Sequence, residues 1–160
     1  MRLGASAYLA HDPRAGPTFA AAAEAGATLA FISWHIPEDS PVGARAAATA
    51  IVSAATSAGL AVVADVSPNT ARLLGDLPWE FLQSIGLARV RIDFGFSVPE
   101  ILSIAAGLPI ALDASTLRAA DLAQFTDLDV ELIYNFYPRE WIGLALSSVA
   151  ASVAFTRSFG

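Results

Sequence analysis

Short apolar runs, most of them ending in polar residues, alternate along the chain with longer segments of helical character. Six runs read as strands: LGASAYL (3–9), TLAFISW (28–34), LAVVADVS (60–67), ARVRIDFG (88–95), LPIALDAS (108–115) and VELIYNFY (130–137). Their near-continuous apolar character is that of strands buried on both faces of a parallel sheet. The segments Pro17–Gly26, Pro41–Gly59, Asn69–Gly86, Val98–Gly107 and Leu117–Phe125 predict the intervening helices, and Ser147–Phe159 predicts a sixth after the last strand. Gly26, Gly59, Gly86 and Gly107 stand where glycine commonly closes a helix. SPNT, SVPE and DAST read as helix starts, with Ser or Thr as cap and, in the first two, Pro in the first turn.

Six strands, each followed by a helix, admit two parallel architectures. A doubly wound sheet usually carries a glycine-rich phosphate loop after its first strand. Here that strand runs into YLAHDPRAGP, which holds no such loop. A barrel instead gathers functional residues at the C-terminal ends of its strands. This chain places Tyr8, Ser33, Asp65, Asp93, Asp113, and Asn135 with Tyr137 at those positions. The expected fold is therefore α/β, a parallel (β/α) TIM-like barrel. It is partial, since 160 residues hold about six of the eight βα units. No linker divides the chain, so residues 1–160 are expected to form a single partial barrel domain.

Composition narrows the function classes. At 55% apolar and 15% charged residues the chain can build a core, which excludes disorder. The net charge is -6, and the nine basic residues, all Arg, are scattered, so no basic patch suits a nucleic-acid backbone. The absence of Cys excludes disulfides, thiolate nucleophiles and Cys-ligated zinc. His11 and His35 lie far apart without metal-ligand spacing, so neither a metal nor a cofactor is expected. The charge-free run Ala46–Ala64 is split by Gly59 and reads as an amphipathic helix followed by a buried strand, not as a membrane span. The N-terminus is too short and too polar for a signal peptide, and a cytoplasmic location is expected.

Asp65, Asp93 and Asp113 each end an apolar run, and two readings of them stand side by side. An Asp after a strand can cap the next helix or pair with an inward Arg, and Arg91 lies on the same strand face as Asp93. For Asp113, Ser115 can take the capping role instead. In the functional reading these carboxylates converge at a barrel mouth, where a desolvated pair takes different protonation states. Glycoside hydrolysis needs such a pair. WHIPEDS adds Glu38 as a candidate substrate contact, although Pro-Glu-Asp runs also serve as solvated helix entries. LIYNFYPREWIG adds Asn135, an amide for sugar hydroxyls or an acetamido group, and Tyr137, a stacking face. Arg139 adds a planar fork for a carboxylate or phosphate. The plainer reading is an aromatic loop on the barrel rim, with Arg139 beside Glu140 or in solvent.

Several of these segments recur together in one family. ADVSP (64–68), RIDFGFS (91–97), DAST (113–116) and NFYPR (135–139) follow in order, with HIPED (35–39) and the N-terminal LGASAYL. Over essentially its whole length the chain resembles the N-terminal barrel of the MupG-type 6-phospho-N-acetylmuramidases. The resemblance implies a TIM-like barrel followed by a cyclophilin-like β domain. It also implies cytoplasmic hydrolysis, in bacterial peptidoglycan recycling, of disaccharides that end in a 6-phosphorylated N-acetylmuramic acid. By the same resemblance Asp65 and Asp93 are the acidic residues at the barrel mouth, and Asn135, Tyr137 and Arg139 face the sugar. The chain departs from the family at Asp113, commonly Asn, at Tyr134, commonly His, and before Gly143, where Thr is common.

Measured against that family, the last two βα units and the second domain are expected to be absent. Loops after the seventh and eighth strands of barrels frequently bind phosphate. Two functions follow: a glycosidase or truncated member of its family, or a non-catalytic sugar-binding or interaction module. The module's exposed sheet edges would call for a second copy or a separately encoded remainder of the barrel. A metal-dependent aldolase or isomerase lacks the ligand spacing it needs.

Overall fold

The structure, a computed structural model, describes residues 4–7, 15–34, 40–93, 95–113, 125, 128 and 130–133. Its elements are β1 (Gly4–Ala7), α1 (Ala15–Glu24), β2 (Leu29–Ser33), α2 (Ala44–Ser57), β3 (Ala61–Val66) and α3 (Pro68–Leu74). They continue with α4 (Pro78–Ser84), β4 (Arg89–Ile92), α5 (Val98–Ala105), β5 (Ile110–Asp113) and β6 (Val130–Ile133). All six expected strands form, and every neighbouring pair is parallel. The sheet order is β1-β2-β3-β4-β5-β6. A doubly wound sheet reverses its order at a switch point. This sheet keeps one direction throughout, so that alternative is ruled out.

The two faces of the sheet differ in chemistry. Side chains alternate along a strand, and Ala30, Ile32, Val62, Ala64, Val90, Ile92, Ile110 and Leu112 join the helices in one apolar core. From α2 this core takes Ala44, Ala48, Ile51, Val52 and Ala55, a stripe at helical spacing. The small alanines let α2 lie close to the sheet and to α1. The charge-free run Ala46–Ala64 thus resolves into most of α2 and the start of β3. No helix among the described residues is long and apolar enough to cross a membrane. The opposite face carries Ser33, Asp65, Arg91 and Glu131, placed in one row by the strand register.

One expected helix, Asn69–Gly86, is two. Gly75 leaves α3 at φ 71 and Leu77 enters α4 at φ 50, directly before Pro78. A proline disfavours helical geometry in the residue before it, and glycine takes positive φ without a Cβ clash. The sequence LGDLP therefore breaks the helix at its middle. Arg45 from α2 bridges the break. Its Nε donates to the Leu74 carbonyl at 2.6 Å, its Nη2 donates to the Asp76 carbonyl, and its guanidinium stacks 4.8 Å from the Phe81 ring centre. The helices expected at Leu117–Phe125 and Ser147–Phe159 lie outside the described residues, apart from Phe125, which is buried.

These contacts make Arg45 the tie between α2 and the α3–α4 joint. Arg45→Ala should lower unfolding free energy by about 1–2 kcal/mol, the worth of two carbonyl hydrogen bonds and a cation–π contact at an exposed site. Arg45→Lys should recover only part of it, because an ammonium lacks the planar fork. Urea denaturation of the three forms checks this.

Candidate functional site

Three polar side chains meet near the C-terminal ends of β2, β3 and β4. Asp65 is the fifth residue of β3, and the register sets it between Ser33 and Arg91. The Ser33 hydroxyl donates to Asp65 Oδ2 at 3.2 Å. Arg91 Nη1 lies 2.9 Å from Asp65 Oδ1. All three are buried: Ser33 and Asp65 are each 6% exposed and Arg91 8%. Removing one partner of such a buried pair leaves an uncompensated charge and costs about 3–5 kcal/mol. One step earlier on β4, Arg89 pairs with Glu131 of β6 at 2.9 Å and donates to the Ile110 carbonyl at 3.3 Å. The face thus carries two ion pairs spanning four strands.

Asp93 follows β4 immediately. Its backbone N–H donates to the Val66 carbonyl at 3.0 Å, which extends the β3–β4 pairing by one residue. The side chain is half-buried. Asp65 and Asp93 therefore belong to adjacent strands at the same end of the sheet.

Neither carboxylate is needed as a helix cap. Ser67 caps α3: its hydroxyl accepts from the Asn69 N–H at 3.2 Å, and its own N–H donates to Thr70 Oγ1 at 3.0 Å. At α5 the Ser97 N–H and hydroxyl both donate to Glu100 Oε2, at 2.7 and 2.6 Å. These two hydrogen bonds, the hydroxyl's first, hold the Glu100 carboxyl below its ordinary value. Between Asp93 and that cap, Gly95 sits at φ 98, and a Cβ there would lie 3.3 Å from Pro68 Cδ. The loop after β4 is thereby seated against the first turn of α3.

Of the candidate residues, Ser33 and Asp65 are in contact, and Asp93 follows the adjacent strand at the same end of the sheet. Asp113 ends β5 at the same end of the sheet, opposite Ile133. Tyr8, Glu38, Asn135, Tyr137 and Arg139 lie outside the described residues. Sequence reading set Arg91 beside Asp93 and missed its partner across the strands. Asp65 is the sixth residue of its apolar run and Arg91 the fourth of the next, so only the strand register, not the sequence pattern, pairs them. Among the described residues no group of three or more His, Cys, Asp or Glu is placed to hold a metal ion. Two shallow depressions, of about 310 Å³ beside the start of α2 and about 350 Å³ at the start of β5, have no carboxylate among their described lining.

A parallel α/β sheet wound in one direction, with buried and half-buried carboxylates at its C-terminal strand ends, is a scaffold for chemistry at that end. Residues 3–160 match the family described as 6-phospho-N-acetylmuramidase, N-terminal, and the chain belongs to it. No curated protein matches the chain. Among solved structures it is similar to a conserved protein of unknown function from an Enterococcus faecalis locus, at 22% identity and TM-score 0.68, covering 98% of this chain and 44% of that one. It is also similar to an uncharacterized B. cereus protein, at 25% identity and TM-score 0.61, covering 98% and 45%. A third similar structure is 2,3-dimethylmalate lyase, a PEP mutase/isocitrate lyase superfamily member, at 14% identity and TM-score 0.61, covering 98% and 58%. The chain spans less than half the length of the first two, and the third shows likeness of fold alone.

Two predictions follow from the caps and the loop they anchor. Gly95→Ala should destabilise the domain by about 1–3 kcal/mol, because the methyl group meets Pro68 and the backbone favours glycine. Thermal unfolding measures it. Glu100 is the pH-sensitive member. Its folded-state carboxyl titrates lower than in the unfolded chain, so its contribution is complete above the ordinary Glu value of about 4.3. That contribution is lost as pH falls through the lower folded-state value. The stability advantage of the parent over Glu100→Gln should therefore be full near neutrality and fade on acidification. Melting curves of both proteins across that range check the sign.

Proposed function

We propose that this domain supplies strand-end catalytic groups of a glycosidase acting on disaccharides that contain 6-phosphorylated N-acetylmuramic acid, in cell-wall recycling. Family membership over residues 3–160 is the observation that carries the reading. The meeting of Asp65, Ser33 and Arg91 beside Asp93 supports it, since hydrolysis of a glycosidic bond needs two carboxyl groups in different environments. Asp65 and Asp93 are the catalytic pair. Ser33, Tyr8, Glu38, Asp113, Asn135, Tyr137 and Arg139 are the proposed substrate contacts, with Arg139 suited to the anionic end of the sugar. In this reading the six-stranded sheet is part of a (β/α) barrel, and the protein works in the cytoplasm without a metal or cofactor.

The test is release of N-acetylglucosamine from the phosphorylated disaccharide. Turnover should fall about 10²- to 10⁴-fold in Asp93→Asn, the usual contribution of a general acid or base. Asp65→Asn should fall comparably and lose stability as well, because it leaves Arg91 without its carboxylate. Equal activity in the parent and Asp93→Asn would sink the catalytic pair. Binding of the disaccharide with no turnover in a folded parent would instead identify a sugar-binding module.

A further inference from the structure

We propose that Arg91 is a positioning residue that holds Asp65 as a fixed carboxylate, so that Asp65 acts as the anion of the pair and Asp93 as the proton donor. The division of roles rests on the glycosidase reading; the hold of Arg91 on Asp65 does not. Both oxygens of Asp65 are engaged from separate strands. Ser33 from β2 donates to Oδ2, and Arg91 from β4 stands 2.9 Å from Oδ1. Protonating Oδ1 would set a neutral carboxyl against a buried guanidinium, the arrangement an adjacent cation disfavours most. Burial cannot reverse this, because both charges are removed from water together and each is the other's main compensation.

The surroundings add no competing charge from the neighbouring strand β2, which presents the Ser33 hydroxyl. The charged residues of β4 are Arg89 and Arg91, and Asp93 follows the strand. Among the described residues Arg89 pairs with Glu131 from β6, and Arg91 pairs with Asp65. The helices pack on the other face, against the apolar core. Asp93 is placed differently. It follows the last residue of β4, half-buried, with its backbone N–H donating to the Val66 carbonyl. With Asp65 held as the anion, the acid of the proposed pair is Asp93.

The proton accounting is then direct. Asp93 gives its proton to the glycosidic oxygen as the C1–O bond breaks, and the alcohol leaves neutral. The positive charge that develops on the sugar ring faces the Asp65 carboxylate. Water then adds to C1, its hydroxide completing the product and its proton returning to the ionised Asp93.

The experiment follows the aspartate carboxyl carbons by NMR through a pH titration of the parent, Arg91→Gln and Arg91→Lys, with the pH dependence of disaccharide hydrolysis measured on the same proteins. In the parent, Asp65 should titrate below the ordinary Asp value of about 3.9. In Arg91→Gln its midpoint should rise by about one pH unit or more, a tenfold change in protonation. Arg91→Lys should restore most of the difference, and the acid limb of the rate profile should move in parallel with Asp65. A parent Asp65 that titrates at or above the ordinary value overturns the inference without any variant, so a poorly folding Arg91→Gln does not shield it. A folded Arg91→Gln in which Asp65 does not move overturns it too. If Asp65 moves as expected and no form cleaves the disaccharide, the hold of Arg91 on Asp65 is upheld and the hydrolase reading falls.

Discussion

Asp65 and Arg91 can meet because β3 and β4 keep one register. In a parallel sheet a slip of one residue turns a whole strand over. Such a slip of β3 would carry Asp65 into the apolar layer beneath the helices and bring Ala64 or Val66 opposite Arg91. An unpaired charge in that layer costs several kcal/mol, a large share of a domain's total stability. The ion pair therefore selects the register as strongly as the apolar layer does. Ser33 extends the same selection to β2, and the Arg89–Glu131 pair extends it to β6. Polar groups on one face and apolar groups on the other specify a single alignment of the strands.

That arrangement explains why a strongly apolar sheet ends in charged side chains. Val63 and Ala111 are buried on the face that carries the ion pairs, so this face is not simply a wet surface. Its charges are compensated in place and held by rigid strands. A carboxylate fixed in this way needs little reorganisation to face a developing positive charge. Asp93 lies one residue past the strand, on a loop seated by Gly95 against Pro68. One carboxylate is thus anchored by the sheet and the other by the packing of a turn.

Much of this was legible in the sequence. The six apolar runs foretold six parallel strands, and the missing glycine-rich loop pointed away from a doubly wound sheet. SPNT and SVPE marked the starts of α3 and α5, because Ser caps and early prolines are local signals. The broken helix was written in LGDLP too, but a helical period on both sides masked it. Arg91 was harder. Strand parity showed that it shares a face with Asp93, whereas its contact with Asp65 depends on the alignment of two strands separated by two helices. That alignment is a property of the whole sheet and leaves no local mark. The aromatic segment from Asn135 to Arg139 lies outside the described residues, and its candidacy rests on its chemistry alone.

Ser67 and Ser97, in capping the starts of α3 and α5, separate two tasks that a single Asp often performs at once. The strand-end acids are released from holding up the backbone behind them. Their identity can therefore change through evolution or engineering while both helices stay wound. A scaffold of this kind can trade one reaction for another by exchanging side chains at the rim, and different chemistries can share it without redesign of the layers beneath.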